Sequence, residues 1–322
     1  NMIEEGEKNG AKLMVFPELC LTGYTCGDLF HQDILVDTAA DMLKKLIRRS
    51  EGHDVLFFVG LPWMKDGKLY NVAAAVHDGE LLALITKKNI PNYSEFYELR
   101  HFTPGPDMPE PMEWDGRIVP FGSGILLRCV NLPELVVAGE ICEDVWVMDP
   151  PSISHARAGA TVIVNCSASS ETAGKHVYRR SLIAGQSARL VCGYICANAG
   201  EGESTQDLVF GGHDLIAENG TVLAEFRRFE NGMILADLDL KRICSERRRM
   251  TTFQVENPRE QYDYMDFELE MEDLKELKRP VDPTPFIPSG AAERNERCEE
   301  ILTIQALGLK KRLAHTGCTQ AV

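Results

Sequence analysis

The pair Asp78-Gly79 stands between two apolar runs, Y70-N-V-A-A-A-V-H77 and E80-L-L-A-L-I-T-K-K88. Asp-Gly readily takes the positive φ angles of a two-residue turn, so the two runs are expected to pair as an antiparallel hairpin. E218-N-G220, between expected strands at 208–217 and 221–226, repeats the signal. Hairpins do not belong in a purely parallel wound sheet, yet elsewhere the order is β–α. A helix tail ends at Gly10, A11-K-L-M-V-F16 reads as a strand, a helix follows at 33–50, and V55-L-F-F-V-G60 is again a strand. Further strands are expected at 134–141, 160–166, 190–197 and 232–238, and helices at 171–189 and 239–250. This mixture predicts an α/β fold in which two sheets pack face to face with helices outside, a four-layer α-β-β-α sandwich.

With 322 residues and 44% hydrophobic content, the chain can bury a core of that size. A net charge of −15, from 34 basic and 49 acidic residues, argues against a nucleic-acid groove or an anionic membrane surface as partner. The longest apolar runs, such as V55-L-F-F-V-G-L-P-W-M64, fall short of the roughly 20 residues of a spanning helix. Ten cysteines without a C-x-x-C pair read as reduced thiols, which predicts a cytoplasmic location. Eight histidines without ligand spacing predict no metal site.

After Phe253 the character changes. The acidic run D266-F-E-L-E-M-E-D-L-K-E-L-K278 leads into the stretch P-V-D-P-T-P-F-I-P, residues 280–288, where four prolines exclude a regular helix or central strand. The expected organisation is a domain over 1–255, a linker over 256–288, and the start of a second domain over 289–322, with helical spacing at 291–313. The ending T319-Q-A-V322 reads as the approach to a strand, and the beginning as a chain entered mid-unit, without the first strand of its fold. Charge clusters, E246-R-R-R249 among them, read as solvated faces.

Three strand ends carry reactive side chains: Glu18 after L-M-V-F-P, Lys87 after L-L-A-L-I-T, and Cys142 after V-V-A-G-E-I. Strand ends in layered α/β folds are where distant side chains converge. Taken singly, the three read more readily as a strand-end carboxylate, a snorkelling lysine and a small buried hydrophobe. Together they suit amide cleavage. A carboxylate base can take the thiol proton as the sulfur attacks, so no low thiol pKa is needed, and an ammonium can stabilise the developing oxyanion. That accounts for a thiol set among Glu140, Glu143 and Asp144. Strand alternation would put Glu140 and Cys142 on one face and Ile141 and Glu143 on the other.

F16-P-E-L-C-L-T-G-Y24, K87-K-N-I-P-N-Y-S-E-F-Y-E98 and G139-E-I-C-E-D-V-W146 resemble, in order, the three motifs of the nitrilase, or carbon-nitrogen hydrolase, superfamily. The resemblance covers residues 11 to 250. It implies Glu18 as base, Lys87 as oxyanion stabiliser and Cys142 as nucleophile, with Glu95 as the second glutamate of many members. N-I-P-N-Y-S-E-F-Y-E and A199-G-E-G-E-S-T-Q-D-L-V-F-G-G-H-D214 are similar to the glutaminase domains of glutamine-dependent NAD synthetases. The P-F-I-P that begins at Pro285, and R294-N-E-R-C-E-E-I-L-T-I-Q-A-L-G-L-K-K-R-L313 after it, are similar to the segment entering their synthetase domain.

By that resemblance the substrate is glutamine, hydrolysed through a thioester to glutamate and ammonia for converting nicotinate adenine dinucleotide to NAD. Tyr93, Ser169 and Lys175 are expected to bind it, with Glu95, Glu143 and Trp146 on the same substrate side. No cofactor is implied for the hydrolase part. ATP and magnesium are implied for a synthetase domain of the same chain, and a homo-oligomer is implied through the hydrolase domains. The S-G-G-x-D-S pyrophosphate loop does not occur in residues 1–322, so a piece of a longer enzyme is expected. The alternatives are another amidase of the superfamily, acting on a ω-amide or carbamoyl substrate, and a non-catalytic interaction module. The tail from Pro285 weighs against the first, and the intact Glu18, Lys87 and Cys142 against the second.

Overall fold

The computed structural model describes residues 2–203, 207–256, 261–274, 276–288 and 290–320. Residues 321–322, the end of the stretch expected to approach a strand, lie outside these, as do 257–260, 275 and 289 in and beside the expected linker. Residues 1–279 form one compact unit and 280–322 another. Among its described residues the second unit holds one helix, Ala291–Thr316, followed by Gly317 in the left-handed region that commonly closes a helix.

In the first unit the chain builds one sheet and then the other. The first half gives α1 (Met2–Lys8), β1 (Leu13–Val15), α2 (Asp33–Arg49), β2 (Leu56–Lys65), β3 (Lys68–His77), β4 (Glu80–Thr86), β5 (Glu110–Trp114) and β6 (Arg117–Gly122). Its strands form a six-stranded sheet in the order β1-β2-β3-β4-β6-β5. The second half gives β7 (Ile125–Cys129), β8 (Val136–Ile141), α3 (Pro151–Arg157), β9 (Val162–Ser167), α4 (Lys175–Leu190), β10 (Gly193–Asn198), β11 (Leu215–Glu218), β12 (Thr221–Glu225), α5 (Leu240–Arg249) and β13 (Asp263–Phe267). These strands form a seven-stranded sheet in the order β12-β11-β10-β9-β8-β7-β13.

Strand alternation sorts the apolar residues into three layers. Phe58, Ala73, Ala75 and Ile85 of the first sheet meet Ile125, Val137, Val162 and Val164 of the second. The intervening Phe57, Val59, Val72 and Val76 turn outward against Ile3 of α1 and Leu43 and Ile47 of α2. On the other side, Ile163, Tyr194 and Leu215 meet Ala156 of α3 and Ile183 of α4. This is the expected four-layer sandwich, and it explains why the strands read as near-continuous apolar runs: both faces are buried. Each fully buried Phe or Val contributes about 1.5–3 kcal/mol.

Several elements differ from the sequence reading. Residues 232–238 form no strand, because Met233 and Leu238 pack against two different apolar clusters and no strand among the described residues pairs with them. The strand expected at 208–217 begins only at Leu215, since Gly212 takes φ +60° and Asp214 turns its carboxylate to the Asn198 amide. The helix expected from 171 starts at Lys175, behind Gly174 at φ +84°, and leaves 168–174 as a turn. Three strands, β5 to β7, occupy 110–129, where none was expected. Residues 263–267, inside the stretch read as linker, pair in parallel with β7. There Phe267 and Leu269 are buried in the inter-sheet core, hidden in the sequence by the acids that alternate with them. Within E246-R-R-R249, read as a solvated face, Arg247 is buried and donates to the carbonyls of Ala160, Leu190 and Val191.

Candidate active site

Glu18, Lys87 and Cys142 converge at the mouth between the two sheets. Beyond β1 the chain stays bound to β2, with Phe16 N–H donating to Phe58 O (2.9 Å) and Leu21 N–H to Gly60 O (3.1 Å). Glu18 N–H reaches across to Ser167 O at the end of β9 (3.3 Å). Leu19, at φ +51°, bends the chain so that the Glu18 side chain is fully enclosed. Gly60 permits this path, because a Cβ there would lie 2.3 Å from Leu19 N and 2.7 Å from Pro17 O. Gly60→Ala is therefore expected to push the Glu18 segment away and to destabilise the fold by about 1–3 kcal/mol, the usual range for overpacking. Urea unfolding checks the stability, and a parallel assay of Cys142 alkylation should show a loss beyond that expected from the unfolded fraction.

Lys87 follows β4 directly, and its N–H donates to Asn71 O (2.9 Å). Its ammonium, 0% exposed, donates to Glu18 Oε1 (2.7 Å) and to both oxygens of Glu98 (2.8 Å each). Two carboxylates around one buried ammonium hold the Lys87 proton well above the usual lysine range, against the opposing effect of burial. Lys88, by contrast, points to exposed Asp107 (3.5 Å). The resemblance placed the second glutamate at Glu95, but the carboxylate in contact with Lys87 is Glu98. A short 3₁₀ turn at Glu98–Arg100 directs Glu98 inward, where Tyr24 OH also donates to it (2.7 Å). Glu95 instead accepts from Ser170 Oγ (3.3 Å). Sequence reasoning missed Glu98 and Tyr24, although they are the last residues of two of the quoted stretches.

Glu18 Oε1 also accepts from Asn71 Nδ2 (2.7 Å), whereas Oε2 is buried without a partner among the described residues. A buried lone oxygen is costly and calls for a reason, and a base awaiting a proton supplies one. Burial raises the Glu18 carboxyl to about 7, with Lys87 opposing and Glu98 adding to the rise.

Cys142 follows β8 at φ +44° and opens a 3₁₀ turn. That turn overrides the expected alternation: Cys142 joins Ile141 in the inter-sheet core, and Glu140 faces the helical layer. There Glu140 accepts from Ser152 N–H (2.9 Å) and from Tyr194 OH. Asp144 is a clasp. It accepts from Ile141 N–H (2.9 Å), Asn89 N–H (2.8 Å) and Asn89 Nδ2 (2.9 Å), tying the cysteine turn to the segment after Lys87. Asn165 Oδ1 takes the Cys142 N–H (2.9 Å). Of the three acids around the thiol, two are structural and only Glu143 enters the pocket. Burial, then the Glu18 charge, push the Cys142 thiol well above its usual range, so it is neutral at neutral pH.

A cavity of about 250 Å³ opens onto Cys142. All six side chains expected on the substrate side line it: Tyr93, Glu95, Glu143, Trp146, Ser169 and Lys175. Pro91, Phe96, Glu98 and Thr172, which were not singled out, complete the lining. Tyr93 OH donates to Glu143 Oε1 (2.8 Å), and the Lys175 ammonium lies 5.4 Å from the Trp146 ring centroid and 5.9 Å from that of Phe96. Lys175 Nζ also donates to Ser170 Oγ (3.1 Å). The pocket thus offers one cation on aromatic faces and several carboxylates, a polarity suited to a small zwitterion. Away from it, the fold brings Asp28, His31 and His101 close enough to share an ion, a grouping invisible in the sequence spacing. Both oxygens of Asp28 are engaged by Arg100 (2.6 and 2.9 Å). No helix among the described residues is long and apolar enough to cross a membrane.

The model of the carbon-nitrogen hydrolase family matches residues 1–248. A glutamine-dependent NAD(+) synthetase of Mycobacterium tuberculosis is 40% identical over 315 residues, 95% of this chain and 46% of that protein. The chain thus spans about half the length of the curated relatives it matches. The crystal structure of a glutamine-dependent NAD(+) synthetase from Cytophaga hutchinsonii superposes with a TM-score of 0.62 at 31% identity, covering 70% of this chain and 36% of the other. A counterpart from Acinetobacter baumannii, solved with adenosine diphosphate, gives 0.62 at 22% identity over 75% of this chain and 42% of the other, a likeness of fold.

Proposed function

We propose a function from one premise: the chain belongs to the carbon-nitrogen hydrolase family. Its reaction in this reading is hydrolysis of the side-chain amide of glutamine to glutamate and ammonia. The observation that carries it is the enclosed Glu18–Lys87 pair whose charges act on Cys142, the thiol that lines a pocket of zwitterion polarity. The choice of glutamine among amides is supported by the 40% identity to glutamine-dependent NAD(+) synthetases.

Cys142 Sγ attacks the amide carbon while Glu18 Oε2 takes its proton, and Lys87 stabilises the oxyanion. The tetrahedral intermediate collapses to a γ-glutamyl thioester as Glu18 returns the proton to the departing nitrogen, releasing ammonia. Water, deprotonated by the same carboxylate, then attacks the thioester carbon, and the sulfur leaves with that proton. Glu98, which lines the cavity with Cys142, grips the Lys87 ammonium with both oxygens and keeps it charged and in place.

In the longer enzyme the ammonia would serve an ATP- and magnesium-dependent synthetase domain that converts nicotinate adenine dinucleotide to NAD, within a homo-oligomer. Residues 1–322 contain no S-G-G-x-D-S loop to fit the nucleotide, and no step above uses it. The test of the reading is ammonia release by this chain from glutamine compared with asparagine and simple carboxamides. A preference for a simple carboxamide would overturn the choice of substrate.

The base gives the reaction a pH signature. Glu18 acts as the carboxylate, so the acylation rate should climb about tenfold per unit below its pKa of about 7 and level off above it. Lys87 stays charged through this range, so no falling limb is expected near neutrality. Single-turnover rates between pH 5 and 9 check this, and a rise centred instead near the thiol's own range would mean that the sulfur ionises without Glu18.

A further inference from the structure

The cavity wall that carries Ser169 and Thr172 is the turn 168–174, which has no regular secondary structure apart from an isolated bridge between Ser170 and Phe210. Arg179, within α4, reaches back to it. Its guanidinium is 1% exposed. Nη2 donates to Ser169 O (3.4 Å), Ser169 Oγ (3.2 Å) and Ser170 O (3.1 Å), and Nη1 donates to Glu171 Oε1 (2.5 Å). One fork thereby holds three consecutive residues of the wall.

The fork is itself braced. His213 Nδ1 lies 3.1 Å from Nη1, and His213 Nε2 lies 2.8 Å from Glu225 Oε1 on β12, the pattern of a neutral imidazole that accepts at one nitrogen and donates at the other. Glu171 occupies space left by Gly211, where a Cβ would fall 2.6 Å from its Cγ. Burying a guanidinium is costly unless its donors are matched; here Nη1 and Nη2 are matched while Nε has no partner among the described residues, and a turn could be closed with backbone bonds alone. Here the matched groups belong to residues that also serve the cavity: Ser169 lines it, and Ser170 Oγ contacts both Glu95 and Lys175. Arg179 also lowers the affinity of Lys175 for its proton, after the larger effect of burial, so its charge is felt at the pocket's cation.

We propose that Arg179 is a positioning residue for substrate recognition: it fixes the 169–172 wall so that the non-reacting end of the amino-acid substrate is held, and takes no part at Cys142. This rests on the glutamine reading above. The experiment uses two electrophiles on this chain, iodoacetamide and a chloroketone analogue of glutamine. Iodoacetamide requires no amino-acid recognition and is followed at the Cys142 peptide, because Cys20, Cys298 and Cys318 are exposed. Saturation by the analogue separates binding (KI) from reaction (kinact). Arg179→Gln should raise KI by roughly 100-fold, the scale of a misplaced binding group, while kinact and the iodoacetamide rate stay within about threefold by the same reasoning.

Arg179→Lys keeps the charge beside Glu171 but cannot span both carbonyls, so it should recover only part of the affinity. It also provides the readout where the Gln variant does not fold. Arg247→Gln controls for the loss of any buried arginine: it should lower thermal stability and leave KI unchanged. An unchanged KI in both Arg179 variants, or equal slowing with both electrophiles, would overturn the proposal. Should the unaltered chain react with iodoacetamide yet show no saturable labelling by the analogue, the glutamine reading would fall and this proposal with it.

Discussion

Cys142→Ala is expected to abolish ammonia release from glutamine, and an electrophilic glutamine analogue is expected to leave one adduct on the unaltered chain, at Cys142. The expectation follows from access and from the base together. Of the ten cysteines only Cys142 lines the cavity; Cys166, its neighbour in the core, does not. Burial pushes the thiols of Cys192 and Cys196 up to about 12 and leaves them protonated at neutral pH. Cys142, by contrast, feels the charge of Glu18, whose Oε2 has no partner among the described residues and is the base in the proposed reading. Alanine removes a single buried sulfur and should cost the fold only on the order of 1 kcal/mol. Loss of activity with an intact thermal transition would then reflect chemistry. Peptide mapping that located the adduct on Cys166 or Cys192 would sink the assignment.

The second large effect separates two adjacent lysines. Lys87→Met should slow acylation by roughly two orders of magnitude or more, on the scale of a lost oxyanion donor, and Lys88→Met should be mild. Lys87 is enclosed between Glu18 and Glu98, whereas the Lys88 ammonium is partly exposed near Asp107. The loss has a second component. Burial raises the Glu18 pKa and Lys87 is the main influence holding it down, so without Lys87 only the Asn71 hydrogen bond opposes burial and Glu98. The rising limb of the pH–rate profile should therefore move above about 7 in the Lys87 variant and stay in place in the Lys88 variant. Removing one partner of a buried ion pair also costs about 3–5 kcal/mol, so the rates are compared at a temperature where both variants are folded. Equal losses in single-turnover assays would show that the wrong lysine has been placed at the reaction.

How far the sequence reached can be seen at individual residues. Glu18, Lys87 and Cys142 were legible because each ends an apolar run, and their motif context is local. The hairpin at Asp78-Gly79 was legible for the same reason: the turn chemistry lies in the two residues themselves, and β3 and β4 pair around it. Glu98 was not, since nothing nearby distinguishes it from Glu95. Their difference is the direction of one turn and a contact with Lys87 across eleven positions. Asp144 looked like a third acid beside the thiol and is instead the clasp that joins Cys142 to Asn89, fifty-five positions away. The edge strand β13 was masked by alternating acids, because its partner β7 lies more than a hundred residues earlier.

The sequence by itself therefore determined which polar side chains end the apolar strands, and the layered class of the fold. Only the tertiary structure decided which carboxylate holds the lysine, which oxygen of Glu18 is left free, and which face Cys142 takes. Periodicity and turn residues act over a few bonds along the chain, and these choices are made by hydrogen bonds and burial between segments brought together when the two sheets close on each other.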